Sequence, residues 1–187
     1  MNGKVNVLFI LTILFLASCS SSRKTTVTKS PVTKADEIKS TVKIKKKVPV
    51  IIINTRDVLA NNVVDFAEKL KGVRYTYGSS DKDKGFDCSG FITYVFKEFN
   101  IPVPRISYDF TNVGREISIK DCRRGDIILF TGSDPNSGIV GHMGIVTSNQ
   151  NNEVEFIHAS SSRGVMISGM NSYFVPRFVK VNRIFKN

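Results

Sequence analysis

Cysteine and histidine are scarce in this sequence, and neither occurs in short pairs. Its 187 residues include three cysteines and two histidines, with no Cys-x-x-Cys or His-x-x-x-His spacing. Structural zinc modules are built from such pairs. The sequence therefore predicts no metal and no organic cofactor. A zinc site made by Cys88, His142 and His158, with Asp87 as the fourth ligand, is kept as the competing use of these residues.

Strong basic character is missing from most of the chain, although the formal net charge is +11. Residues 20–49 contain nine Lys or Arg against two acidic residues, whereas residues 50–187 contain 17 against 14. The larger part thus carries only +3 and shows no basic stripe with interleaved aromatic residues. Nucleic-acid-binding domains display such a stripe. No nucleic-acid partner is predicted.

A long apolar run occurs only at the N-terminus. The run Val7–Leu16 is short for a membrane-spanning helix and is typical of an export signal. It ends in Leu16-Ala17-Ser18-Cys19, which resembles the lipobox of bacterial lipoproteins. That resemblance implies that residues 1–18 are a signal peptide and that Cys19 is lipidated; a plain secretory signal and an uncleaved anchor are the alternatives. Ser20 follows, so the acidic residue that commonly retains lipoproteins on an inner membrane is absent.

Residues 19–53 are predicted to be a lipidated cysteine followed by a flexible basic linker. From Ser20 to about Pro49 the chain is rich in Ser, Thr, Lys and Val without a helical or strand period, so it buries too little apolar surface to order. The apolar stretch Val48–Ile53 fits either a leading strand or the linker's end. As a coil the linker reaches about 30 Å. We expect a membrane-anchored protein on the periplasmic or extracytoplasmic face of the envelope, on the outer membrane in a Gram-negative cell.

Two amphipathic helices open the predicted domain of residues 54–187. Apolar spacing predicts the first helix between Asp57 and Leu70, with Asn54 or Thr55 as its N-cap and Gly72 as its stop. The second helix follows Gly85-Phe86-Asp87 and ends at Asn100, before two prolines.

Cys88 lies in the first turn of the second helix. Free N–H groups and the helix dipole at that end favour a thiolate, which is the nucleophilic form of cysteine. The alternative is a small buried residue without chemical function. Cys122 is expected to be free and structural, because a disulfide with Cys88 would remove the nucleophile.

Strand-like segments dominate the second half of the chain. Short apolar runs separated by turn residues predict five strands: Ile127–Phe130, Gly141–Thr147, Val154–Ala159, Gly164–Ile167 and Phe178–Ile184. Helices followed by strands imply an α+β fold, with the N-terminal helices packed on an antiparallel sheet.

Both histidines lie in these strands. A hairpin centred on Gln150 would place His142 opposite His158, with Cβ atoms about 4.5 to 5.5 Å apart; a slip in register would offset them. Such a pair suits nucleophilic catalysis, because one imidazole takes the thiol proton while the second fixes the tautomer of the first. Taken singly, each histidine also fits an ordinary core or surface position.

Six motifs together resemble the NlpC/P60 peptidases, over roughly residue 55 to the end of the chain. Within this family the chain looks most like the small lipoprotein murein endopeptidases of bacterial envelopes. The motifs occur in the family's order and spacing: Tyr75-Thr76-Tyr77-Gly78, Phe86-Asp87-Cys88-Ser89-Gly90-Phe91, Pro104-Arg105, Arg124-Gly125-Asp126-Ile127-Ile128-Leu129-Phe130, Gly141-His142-Met143-Gly144-Ile145 and Phe156-Ile157-His158-Ala159.

The resemblance implies a papain-like α+β core and assigns its catalytic residues. Cys88 would be the nucleophile, His142 the base and His158 the orienting residue.

The resemblance also implies a substrate-binding set. Tyr75 would line the site, Asp87 and Ser89 would hold the free amino end of a stem peptide or nearby polar groups, and Arg105 would belong to the site wall. Ser79 and Ile106 depart from the family pattern, which puts loop shape and substrate preference in doubt.

These features predict a lipid-anchored cysteine endopeptidase that hydrolyses amide bonds in peptidoglycan stem peptides or cross-links. It is expected to act as a monomer, with peptidoglycan and the membrane as its partners. One alternative is a non-catalytic wall-binding lipoprotein with the same fold. Another is an acyltransferase or amidase that acts on a substrate outside the wall.

Overall fold

Two helices precede an antiparallel sheet of six strands in the computed structural model, which describes residues 49–186. The helices are α1 (Ala60–Glu68) and α2 (Cys88–Glu98), with the small hairpin β1 (Ser80–Asp81) and β2 (Gly85–Phe86) between them. The predicted signal peptide, the predicted lipidation site Cys19 and nearly all of the predicted linker lie outside the described residues. No helix within residues 49–186 is long and apolar enough to cross a membrane.

The large sheet has the strand order β3-β8-β4-β5-β6-β7, and every neighbouring pair is antiparallel. Its strands are β3 (Arg115–Ile117), β4 (Ile127–Thr131), β5 (Val140–Gln150), β6 (Glu153–Ser160), β7 (Gly164–Gly169) and β8 (Phe178–Arg183). Short 3₁₀ helices lie at Ser107–Asn112, Ile119–Asp121 and Val175–Arg177. All five predicted strands are present, and β3 and the β1–β2 hairpin were not predicted.

Helix α1 is shorter than its apolar pattern predicted, and its predicted cap is wrong. Leu59 occupies the N-cap and makes no side-chain cap bond. The carboxamide oxygen of Asn54 instead accepts from the Arg56 N–H, and the Thr55 carbonyl accepts from the Val58 N–H. These two bonds close a turn that precedes the helix. Asn54 and Thr55 therefore stabilise this preceding turn and do not cap α1.

Helix α2 begins at Cys88, as predicted, because Asp87 caps it. The Asp87 carboxylate accepts from the Gly90 N–H at 2.6 Å, which satisfies a donor at the free helix end. Gly90 is needed for close approach, since a Cβ atom there would overlap the Ser79 carbonyl. The helix buries Phe91, Ile92, Val95 and Phe96, which anchor its N-terminus against the sheet.

The sheet is covered on both faces. One hydrophobic cluster joins α1 and α2 to inward residues such as Ile127, Leu129 and Ile145. A second cluster on the other face includes Phe130, Phe156 and Phe174, together with Cys122. Cys122 is buried and free, as expected from the sequence.

Ile51 makes backbone contacts before the predicted domain start at residue 54. Its N–H donates to the Asn112 carbonyl and its carbonyl accepts from the Gly114 N–H, both at 2.8 Å. This single parallel bridge with Val113 is the only trace of a leading strand within residues 49–186. The domain boundaries stay a prediction.

The β5–β6 hairpin turns later than predicted, so the expected opposition of the two histidines is wrong in register. Asn151 and Asn152 both have positive φ, which gives a tight two-residue turn of the type that hairpins favour. A bulge at Thr147 then leaves Ile145 paired with Ile157. This register sets Gly144 across from His158 and displaces His142 by two residues along β5. The histidines are diagonal neighbours.

Candidate functional site

A cavity of about 450 Å³ collects the chemically active residues at one end of β5, β6 and α2. Cys88, His142, His158 and Tyr75 all line it. The structure thus brings the predicted cysteine and both histidines together from elements that are far apart in sequence.

A bulge aims the backbone of β5 at the cysteine. Phe130 pairs with His142 and Thr131 pairs with Val140, so Gly141 has no partner on β4. Its carbonyl accepts the Cys88 thiol, with Sγ and O 3.7 Å apart. The bulge therefore links the start of α2 to the residue directly before His142.

The Cys88 thiol has a raised pKa, which corrects the expectation that the helix end would make it a thiolate. Burial is the largest cause of the rise, and the Asp87 carboxylate adds to it. The backbone N–H groups of Ser89 and Cys88 do lower the pKa, as does Arg105, but these effects are smaller. A side chain that is only 9% exposed loses more by desolvation than the helix end returns.

The two imidazoles form a hydrogen-bonded pair. His142 Nε2 and His158 Nδ1 are 2.9 Å apart, with the rings nearly perpendicular at 89°. His158 Nε2 lies 3.0 Å from the Ser168 hydroxyl on β7. The diagonal placement of the histidines thus still gives the contact that the sequence predicted.

Loss of solvation keeps both histidines neutral near pH 7: His158 is buried and His142 is partly buried. Burial lowers the pKa of His142 to about 4. It lowers the pKa of His158 to about 3, with further contributions from His142 and from the guanidinium of Arg163. A neutral imidazole has one free lone pair, so the site has the form of a proton acceptor.

Phe174 shields the histidine pair. Its ring stacks on His142 with centroids 6.2 Å apart and meets His158 edge-on at 5.4 Å. Phe130 and Phe156 pack against the same ring. These contacts contribute to the burial that lowers the pKa of both imidazoles.

The predicted substrate-binding residues divide into two groups. Tyr75 lines the cavity. Burial is the largest cause of its raised pKa, and negative charge on Cys88 and Asp87 would raise that pKa further. Arg105 instead binds the Asp87 carboxylate through two nitrogens, at 3.0 and 2.7 Å, and donates to the Ser89 hydroxyl at 3.0 Å. The second group supports the start of α2 and does not line the cavity. Its role in substrate binding stays a prediction.

Several cavity residues were missed by sequence reasoning. Ser168, Phe174, Arg163 and Arg177 come from β7, the β6–β7 turn and the segment before β8. The signal for Ser168 was weak, because β7 sets Met166 opposite His158 and Ser168 lies two residues further along the strand. Nothing in the local pattern marks Phe174, whose place depends on tertiary packing.

The sequence leaves open a zinc site made by Cys88, His142 and His158, with Asp87 as the fourth ligand. Within residues 49–186, no group of three or more His, Cys, Asp or Glu side chains is arranged to hold a metal ion.

Fold and site together define a class: an α+β domain in which a cysteine at a helix N-terminus shares a cavity with two hydrogen-bonded histidines. The NlpC/P60 family model matches residues 72–183. The chain belongs to this family, and the α+β NlpC/P60 fold predicted from the sequence is confirmed.

Curated and solved relatives agree with this assignment. The murein DD-endopeptidase MepS/murein LD-carboxypeptidase of Escherichia coli strain K12 is 39% identical over 127 residues, which cover 66% of this chain and 62% of that protein. The match thus spans less than two thirds of that relative's length.

Two crystal structures share the fold. An NlpC/P60 family protein from Bacillus cereus has a TM-score of 0.61 at 23% identity, covering 70% of this chain and 42% of that one. The peptidoglycan hydrolase RipB from Mycobacterium tuberculosis has a TM-score of 0.55 at 27% identity, covering 68% and 65%.

Proposed function

We propose that the chain is a cysteine endopeptidase that hydrolyses amide bonds in peptidoglycan stem peptides or their cross-links. The observation that carries the proposal is the hydrogen-bonded line from Ser168 through His158 to His142, beside the Gly141 carbonyl that accepts the Cys88 thiol. The names of the E. coli and M. tuberculosis relatives, a murein peptidase and a peptidoglycan hydrolase, support this substrate class.

One set of tautomers makes the line work as a base. If His158 Nε2–H donates to Ser168, then His158 Nδ1 accepts from His142 Nε2–H. His142 Nδ1 then carries the free lone pair, available for the Cys88 proton. His158 acts as a positioning residue, because it fixes this tautomer and accepts equally well from the imidazolium that forms.

Proton transfer from Cys88 accompanies attack in this mechanism. The raised thiol pKa and the lowered imidazole pKa favour the neutral pair at rest, so His142 takes the proton as Sγ bonds to the scissile carbonyl carbon. The Cys88 N–H, in the first turn of α2, would be one donor to the oxyanion. His142 then protonates the leaving amine, and afterwards activates the water that releases the acyl group.

The test is peptidoglycan cleavage by the purified protein. Fragments of defined cross-linking are incubated with the wild type and with Cys88→Ala, under reducing, metal-free conditions, and the products are weighed by mass spectrometry. We expect new masses from the wild type alone, which also identify the bond that is cut. Intact fragments with both proteins would overturn the proposal.

A non-catalytic wall-binding protein is the second candidate, and the raised pKa of Cys88 favours it. A buried thiol without a working base would have the same property. The same experiment separates the two, because a binding protein co-sediments with insoluble peptidoglycan and releases no fragment.

The membrane anchor is part of the proposal, and it rests on the sequence Leu16-Ala17-Ser18-Cys19 at the close of an apolar run. The full chain, expressed in a bacterium fed labelled palmitate, should incorporate the label and fractionate with membranes. Cys19→Ala should lose the label. Equal labelling of both forms would remove the anchor from the proposal.

A further inference from the structure

The cavity wall carries positive charge without a matching carboxylate. Arg163 and Arg177 line it, and no aspartate or glutamate of residues 49–186 does. Asp87 precedes Cys88, but it is held by both terminal nitrogens of Arg105. With both histidines neutral, the wall is cationic.

Arg177 is already occupied by the fold. Its guanidinium donates to the carbonyls of Tyr173 and Ser133, at 2.9 and 3.1 Å, and stacks over the Tyr173 ring at 3.9 Å. These contacts fasten the segment that carries Phe174. Arg177 therefore stabilises this part of the cavity wall.

Arg163 differs, because its guanidinium has no hydrogen bond or ion pair within the part of the chain that the structure describes. It is exposed in the turn between β6 and β7, at the mouth of the cavity. Burial and His142 lower the pKa of His158 most, and the Arg163 guanidinium adds to that lowering.

The backbone around Arg163 is fixed in place. Gly164 has a φ of 70°, and a Cβ atom there would overlap the Val73 carbonyl. The Val165 N–H donates to Val73, and the Val165 carbonyl accepts from Gly72, both at 2.8 Å. The turn is thus bonded to the segment that leads to Tyr75 on the opposite wall, so only the side chain remains to be ordered by a ligand.

We propose that Arg163 forms a carboxylate-binding subsite, which selects substrates carrying a free carboxylate next to the scissile amide. A guanidinium matches a carboxylate with two parallel hydrogen bonds, whereas a carboxamide offers one acceptor and no charge. This inference rests on the proposed function and adds to it the charge state of the preferred stem peptide.

The test compares two stem peptides that differ in one group: the carboxyl next to the scissile bond is free in one and amidated in the other. We expect the wild type to favour the acid by roughly ten- to a hundredfold in kcat/KM, the gain typical of a charge-assisted bond. Arg163→Gln should lose this preference, because it slows cleavage of the acid more than cleavage of the amide. Arg123→Gln, which removes an exposed charge that does not line the cavity, should keep it.

A binding measurement separates this inference from the proposed activity. In a Cys88→Ala background, calorimetry should show tighter binding of the acid than of the amide, and Arg163→Gln should weaken only the acid. Equal binding of the two peptides, or equal weakening of both by Arg163→Gln, would overturn the subsite. Discriminating binding by a wild type that cuts neither peptide would instead overturn the peptidase and leave the subsite standing.

Discussion

The part of the chain that the structure describes contains two buried thiols that look alike until their neighbours are compared. Cys88 and Cys122 are 9% and 4% exposed, and neither is in a disulfide. Burial raises the pKa of both, to about 11 for Cys122.

Their surroundings differ in what a thiol needs for chemistry. Cys122 lies in the apolar cluster behind the sheet, and its pKa responds to the neighbouring Asp126 and Arg183. Cys88 borders a cavity that also contains two neutral imidazoles. The comparison teaches that burial and pKa do not mark the candidate nucleophile here; an adjacent base and space for a carbonyl do.

The largest expected effect separates the two thiols directly. Cys88→Ala should lower peptidoglycan cleavage by about a thousandfold or more, because no other group can form the acyl-enzyme. Cys122→Ala should leave kcat/KM within about twofold and only lower the thermal midpoint, by the small cavity that it leaves. Assays on both variants, with melting curves as the folding control, decide this; similar losses in the two would erase the distinction.

The next effect concerns the base. His142→Gln should reduce kcat by roughly 10²- to 10⁴-fold, the usual worth of a positioned general base. His158→Gln keeps an acceptor for His142 Nε2–H and should cost about tenfold, while His158→Ala should cost more. Single-turnover rates measure the series. A His158→Gln enzyme as damaged as His142→Gln would show that His158 does more than position its partner.

The smallest expected effect is a difference between Cys88 and Cys122 in how their rate of chemical labelling depends on pH. Because its pKa is raised, Cys88 should react with iodoacetamide faster as the pH rises through 9, whereas Cys122 should stay unlabelled until the protein unfolds. A labelling rate for Cys88 that levels off below pH 7 would indicate a preformed thiolate and contradict the structure.

Lowering the pH should reduce the free energy of unfolding, because the two histidines resist protonation in the folded protein. His142 and His158 have pKa values of about 4 and 3 in the folded protein, both below the ordinary 6.5. Unfolding therefore takes up protons below pH 6.5, so stability is full above that pH and is lost as the pH falls towards 4. Urea unfolding at pH 7 and pH 5 checks the sign; greater stability at pH 5 would refute it.

Sequence reasoning worked where local pattern controls structure. The position of Cys88 in the first turn of α2 followed from the apolar spacing of the residues after it, and the five main strands followed from short apolar runs between turn residues. It failed at features set by tertiary contact. The turn at Asn151 and Asn152 comes later than predicted, and the bulge at Thr147 then reduces the resulting offset of the histidines. The burial of Cys88 outweighs the helix end. Neither the bulge nor this burial can be read from neighbouring residues.

The candidate catalytic cluster could be predicted as residue types but not as geometry. Two histidines on adjoining strands suggested a pair, and the diagonal contact preserves it by a different route. Phe174 arrives from a segment without helical or strand period, so only packing reveals that it shields both imidazoles. The low pKa of the pair could not be predicted without it.

The hydrogen bonds that join Val165 to Gly72 and Val73 have a consequence for the tendency of this protein to self-associate. They pair Val165, near the start of β7, which is one border of the six-stranded sheet. An uncovered border strand is a template for pairing with other chains. The same segment leads to Tyr75 in the cavity wall. If it detached from β7, the backbone groups of Val165 would become free to pair with another chain. We therefore expect self-association to accompany any loosening of the cavity wall.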